Sequence, residues 1–204
     1  MTSAEPSSTR RLHAALAARG IGMIDAPVSG GVAGAEAASL AIMAGGDPAL
    51  FERARPRLEK MGKNLFHLGD IGAGHAMKAV NNFLSSCALL ATSEALVTAA
   101  KFGLDPNRVC DVLNASSGRS QATEVKVPRA ILSRTFDLGF ALQLYVKDLR
   151  IFTNLARELG VPVPVATTVE HVYDLVDKVG GPGLDGTEVY RFVERWAGLS
   201  PAKE

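Results

Sequence analysis

Apolar and polar positions follow two different rhythms along this chain, and the change falls near Gly72. Before that point, short apolar runs are separated by Gly, Pro and polar breaks. Residues 5–19 mix Ala and Leu with Arg and stop at Gly20, which predicts a helix. Ile21 to Asp25 reads as a short strand stopped by Pro27, and Gly30 to Ala35 as a loop. Leu40 to Ala44 predicts a second strand, closed by Gly45-Gly46. Asp47-Pro48 then opens a helix, with Asp as N-cap and Pro at the first helical position. Asn64 to Leu68 is a third strand. Such alternation is expected of part of a doubly wound α/β layer.

Beyond Gly72 the pattern is helical throughout. Gly74 to about Phe102 is nearly continuous in Ala, Leu, Val and small polar residues, without proline. It predicts one helix of roughly 28 residues, about 42 Å long, suited to join two domains. Gly103 ends it, and Asp105-Pro106 caps a helix running to about Ala115. Ser116 to Ser120 reads as a loop, and further helices are expected at 141–159, 164–179 and 186–197. The expected organisation is an α/β part over residues 1–72 and an all-α part over residues 73–200.

Composition narrows the function classes. The chain has 204 residues, 47% apolar and 21% charged, which is an ordinary globular balance with material for a core. A net charge of +1 favours neither nucleic acid nor an anionic membrane over a small ligand. Arg53, Arg55, Arg57, Lys60 and Lys63 read as a solvated helix face. Cys87 and Cys110 have no paired spacing, so a reduced, cytoplasmic chain is expected. His13, His67, His75 and His171 are scattered without ligand spacing, so no metal site is expected. The N-terminal residues lack the apolar core of a signal peptide, and no apolar run is expected to cross a bilayer.

Three constellations carry candidate chemistry. Ser29-Gly30-Gly31 follows a strand-like run; glycines there let backbone N–H groups approach an anion, and the serine adds a donor. Alone, Ser-Gly-Gly is an ordinary turn. Lys78 and Asn82 stand at i and i+4 on one face of the long helix. A lysine held against apolar neighbours can exchange a proton near neutral pH, although an isolated Lys-x-x-x-Asn is usually a solvated face. The third is Phe140 to Leu149, with Lys147-Asp148 near its end; without context it is an amphipathic helix with a surface ion pair. Arg119, in the Ser116 to Ser120 loop, suits either a second substrate carboxylate or the surface. Gly181-Pro182-Gly183-Leu184-Asp185-Gly186 fits G-x-G-x-x-G letter for letter but lies between helices and contains proline. It reads as a linker with Asp185 as N-cap.

Two phrases together, Asp25-Ala26-Pro27-Val28-Ser29-Gly30-Gly31 and Gly72 to Asn82, resemble the β-hydroxyacid dehydrogenase family, the group of 3-hydroxyisobutyrate dehydrogenase and tartronate semialdehyde reductase. The resemblance runs from about Thr2 to Gly198. It implies the C-terminal part of a Rossmann-type dinucleotide-binding domain, followed by a 6-phosphogluconate-dehydrogenase-like all-helical domain. It implies Lys78 as the catalytic lysine. Ser29, Gly30, Gly31 and Asn82 would bind the substrate, and Phe140 and Asp148 would line its pocket. Ser3 and Lys147 would contact the cofactor, NAD or NADP. It implies a small hydroxy acid or semialdehyde as substrate and a homodimer or homotetramer as assembly. The family's glycine-rich fingerprint has no counterpart here, so an inactive fragment is the alternative: an oligomerising or small-acid-binding helical module.

Overall fold

The computed structural model describes residues 2–199 and divides into two compact units. The first comprises the residues up to Asn82 together with Arg150–Val163; the second comprises Phe83–Leu149 and the residues from Pro164 onward.

In the first unit, helix α1 (Pro6–Ala17) leads to a small sheet built on β3 (Ala41–Gly46). Strands β1 (Ile24–Asp25) and β2 (Val28–Ser29) pair antiparallel with β3, and β4 (Asn64–His67) pairs with it in parallel. Pro27 does not end the pairing as the sequence suggested. Ile24 faces Gly46 and Val28 faces Ile42, so one register continues across the break. Proline removes its own N–H from the ladder, while its carbonyl still accepts from Met43 N at 3.0 Å. The layer is mixed rather than wholly parallel. β3 is buried along almost its whole length, as expected of a strand covered on both faces. Its Ile42 and Ala44, with Leu40 just before the strand, form the core with Phe51 and Leu58 of α3 (Pro48–Leu58). Asp47 caps α3 as predicted, accepting from Leu50 N at 2.9 Å. The stretch expected to be a loop after Gly30 is instead a short helix, α2 (Gly31–Glu36).

The predicted long helix exists as α4 (Ala73–Phe102); its first ten residues belong to the first unit and the rest to the second. By length and composition it is apolar enough to cross a membrane, which corrects the sequence expectation. Its Leu89, Leu90, Leu96 and Val97 are buried in the core of the second unit, which accounts for that composition. The same core takes Leu142 and Leu149 of α6 (Leu142–Glu158), Tyr173 and Val176 of α7 (Pro164–Gly180), and Val189 and Phe192 of α8 (Val189–Trp196). Asp105 caps α5 (Pro106–Asn114) as expected. A further element was not foreseen: Ala122–Leu132 is π-helical and contributes Val127 and Ile131 to the core. Pro128 hid it, because proline inside a helix normally breaks it. Cys87 and Cys110 are both free thiols.

Candidate active site

Ser29 closes β2, Gly30 has φ +135°, and α2 begins at Gly31 with φ +62°. Residues with a Cβ rarely adopt such angles, so the strand-to-helix turn requires glycine. A side chain on Gly30 would also press on Leu40 Cδ2 at 3.0 Å. Ser29 is half-buried, while Gly30 and Gly31 are exposed, leaving their backbone open to a small ligand.

The start of α4 is organised by a residue far away in the chain. Asp25, at the end of β1, is buried, and its carboxylate accepts from Gly72 N and His75 N, each at 2.7 Å. These are donors that a helix start cannot pair internally, and a carboxylate suits the positive end of the dipole. Gly74 permits this approach: a Cβ there would overlap the Met43 carbonyl and crowd Asp25 Oδ2 at 2.9 Å. The Gly72-x-Gly74 phrase is therefore a packing requirement. His75 is buried too. Its Nδ1 lies 2.8 Å from Thr9 Oγ1 and 3.5 Å from Asp25 Oδ2, and its Nε2 lies 2.9 Å from the Thr2 carbonyl.

Lys78 follows one turn after His75, and Asn82 one turn after Lys78. Both are half-buried. Asn81 Nδ2 donates to Asn82 Oδ1 at 3.0 Å, which orients that carboxamide. Among the apolar neighbours expected around Lys78, Ala79 is buried and Val80 half-buried, whereas Met77 and Leu84 are exposed. Ser3, the residue after Thr2, is half-buried. Ser3, Ser29, Gly30, Gly31, Lys78 and Asn82 thus all fall within the first unit.

The second unit holds the remaining candidates. Asp148 is buried and pairs with Lys147 Nζ at 2.9 Å, while the lysine side chain stays 43% exposed. Phe140 packs edge-on against Tyr145, centroids 4.9 Å apart, and Tyr145 stacks on Tyr173 at 5.3 Å. Asp185 accepts from Gly139 N, Phe140 N and Thr187 N, so the Gly181 to Gly186 stretch is a capped linker as predicted. Arg119 pairs with Glu124 at 3.7 Å, both side chains largely exposed, which favours the surface reading. Sequence reasoning missed Lys126, which sits in the π-helix. It is buried, donates to Ser85 O (3.2 Å) and Ser85 Oγ (2.7 Å), and lies 5.4 Å from the Tyr145 ring centroid. Burial lowers its pKa to about 8, offset in part by Asp185. Burial pushes the Tyr145 and Tyr173 hydroxyls up, so neither is an acid near neutral pH.

A dinucleotide needs donors for its pyrophosphate, usually a glycine-rich turn at a helix N-terminus. In the first unit, Asp47 and Asp25 occupy the starts of α3 and α4, and α1 opens with Glu5-Pro6. α2 spans only six residues. The described residues of this unit therefore do not fit a pyrophosphate.

A family model described as the NAD binding domain of 6-phosphogluconate dehydrogenase matches residues 1–69. A second, described as NAD-binding of NADP-dependent 3-hydroxyisobutyrate dehydrogenase, matches residues 72–193. The chain is 40% identical over 200 residues to 2-(hydroxymethyl)glutarate dehydrogenase of Eubacterium barkeri, covering 98% of this chain and 66% of that protein. It is 36% identical to 2-hydroxy-3-oxopropionate reductase of Escherichia coli, covering 97% and 67%. Among solved structures, 3-hydroxyisobutyrate dehydrogenase of Mycobacterium tuberculosis with L-serine superposes with a TM-score of 0.86 at 33% identity, over 93% of this chain and 67% of that one. The chain spans about two thirds of the length of these relatives. Its fold is the Rossmann-type part and helical domain of such enzymes, and the chain belongs to the β-hydroxyacid dehydrogenase family, the family of 3-hydroxyisobutyrate dehydrogenase.

Proposed function

We propose that this chain carries the substrate-binding and proton-transfer part of an NAD- or NADP-linked oxidoreductase. Such an enzyme interconverts a small 3-hydroxy acid and its semialdehyde. The observation behind this reading is the anchored start of α4: Asp25 fixes the first turn, and Lys78 and Asn82 follow it on one helix face. In this reading the backbone of Gly30 and Gly31 and the Ser29 hydroxyl bind the substrate carboxylate, and Asn82 holds the reacting oxygen. Lys78 donates its ammonium proton to that oxygen as an aldehyde becomes an alcohol, and in reverse its amine accepts the hydroxyl proton. The hydride belongs to the cofactor. Ser3 and Lys147 are its contacts by resemblance, and Phe140 and Asp148 line the pocket on the same ground. The exposed Phe102, Val112, Val165 and Val179 support a homodimer or homotetramer formed through the helical unit. The unpaired cysteines support a cytoplasmic setting.

The unsuitable helix starts of the first unit favour a second reading, a small-acid-binding or assembly module without turnover of its own. One experiment separates the two. The chain is assayed alone and fused to a complete dinucleotide-binding lobe, with hydroxyisobutyrate- and glycerate-type acids and both cofactors. Turnover by either form supports the enzyme. No turnover by the fusion, together with saturable binding of the acid by the chain, supports the module.

A further inference from the structure

Three of the segments assigned to substrate, cofactor and proton transfer lie far apart in sequence, yet each connects to one buried pair, Asp25 and His75. Asp25 leads through Ala26-Pro27-Val28 into Ser29-Gly30-Gly31. His75 stands one turn before Lys78, and its backbone N–H donates to Asp25. The His75 ring reaches the peptide that links Thr2 to Ser3, through Nε2 and the Thr2 carbonyl. The geometry points to His75 as a positioning residue that sets Ser3, Lys78 and the Ser29 turn in one register.

One donor follows from chemistry alone. A carbonyl oxygen only accepts, so His75 Nε2 carries a proton toward Thr2 O at 2.9 Å. Thr9 Oγ1 lies within hydrogen-bond distance of Glu5 O at 3.1 Å. The same hydroxyl lies 2.8 Å from His75 Nδ1, where it either donates or accepts according to the ring tautomer. Both ring nitrogens thus have a polar partner, and the Asp25 carboxylate lies 3.5 Å from Nδ1. The arrangement suits a buried ring, because an unpaired nitrogen there would carry a desolvation cost. It also reaches the start of α1, since Glu5 O takes the Thr9 N–H at 3.0 Å and Glu5 Oε1 takes the Asn154 carboxamide at 3.0 Å.

The role in catalysis rests on the reading given above, but the test does not. The full chain is labelled with nitrogen-15, and the imidazole nitrogens and backbone amides are observed by NMR at neutral pH. A proton on His75 Nε2 is expected. His75→Phe keeps the ring volume and removes both bonds; the Ser3 and Lys78 amide resonances should shift together, and Gly31 with them. His75→Gln restores a donor toward Thr2 O and should return the Ser3 resonance toward its original position. A His75 Nε2 without a proton, or a folded His75→Phe chain with Ser3 and Lys78 unmoved, overturns the proposal. If His75→Phe does not fold, Thr9→Val removes only the hydroxyl at Nδ1. Lys78 and Ser3 should then shift, and unmoved resonances overturn the proposal equally. None of these readouts depends on turnover, so loss of the enzyme reading and loss of the positioning role are separately visible.

Discussion

The Asp25 carboxylate takes the backbone N–H of His75 at 2.7 Å, from fifty residues earlier in the chain. With the matching bond from Gly72 it caps α4 from outside the helix. Two buried donors depend on it. Asp25→Ala should therefore destabilise the first unit by about 2–4 kcal/mol, the sum of a lost cap and unsatisfied groups. Asp25→Asn keeps one acceptor oxygen and should lose less. Denaturant titration, with hydrogen exchange at the Gly72 and His75 amides, checks both; an Asp25→Ala chain as stable as wild type would refute the cap.

Gly74→Ala sets two effects against each other. Inside a helix, alanine is favoured over glycine by about 1 kcal/mol. Here the added Cβ overlaps the Met43 carbonyl of β3 and crowds the Asp25 carboxylate. Backbone atoms cannot step aside cheaply, and overpacking costs about 1–3 kcal/mol or more. The melting temperature should fall; a rise would mean that propensity wins and that the β3 contact is loose.

Lys126 carries a pH dependence whose sign follows from burial. Its folded pKa is lowered to about 8 from 10.5. Below about pH 8 both states are protonated and the full cost of the buried charge is present, roughly 3 kcal/mol for such a shift. Between about pH 8 and the unfolded value, the folded state releases its proton first, so stability rises with pH. Lys126→Met should abolish that rise and be at least as stable as wild type at neutral pH. Stability curves from about pH 7 to about pH 10, compared as differences, cancel the other titrating groups. A variant with an undiminished slope would refute the assignment.

Lys78→Ala, in whichever form of the protein turns over, should lower kcat by about 10²–10⁴ while leaving KM for the cofactor nearly unchanged. Lys78→Arg should fail as well, since guanidinium does not release a proton near neutral pH. Retention of more than about a tenth of turnover by Lys78→Ala would remove the lysine from proton transfer.

The occupied helix starts of the first unit predict weak cofactor binding by the chain alone. Calorimetric titration with NADH or NADPH should give at best a millimolar constant, about −4 kcal/mol. A micromolar constant would show that other residues hold the pyrophosphate.

Much of this molecule is legible from local chemistry. Asp47, Asp105 and Asp185 are N-caps by their spacing to the following residues, and each accepts the expected backbone N–H. The long apolar run before Gly103 could only be one helix, because nothing in it breaks the ladder. The family was readable from two short phrases. What local chemistry does not contain is pairing over distance. Nothing near Pro27 signals that β1 and β2 share one register on β3, since that is set by Met43 and Ile42 fifteen residues on. Pro128 reads as a breaker, and only packing around Val127 and Ile131 holds a π-helix there. Asp25 and His75 were visible as letters in the motif, but their roles were not. A buried carboxylate must find donors wherever the fold brings them, and here the donors lie across the sheet at the start of α4. The sequence by itself determined the elements, their caps and the family; the tertiary structure decided which buried polar groups meet, because desolvation penalises every one left without a partner.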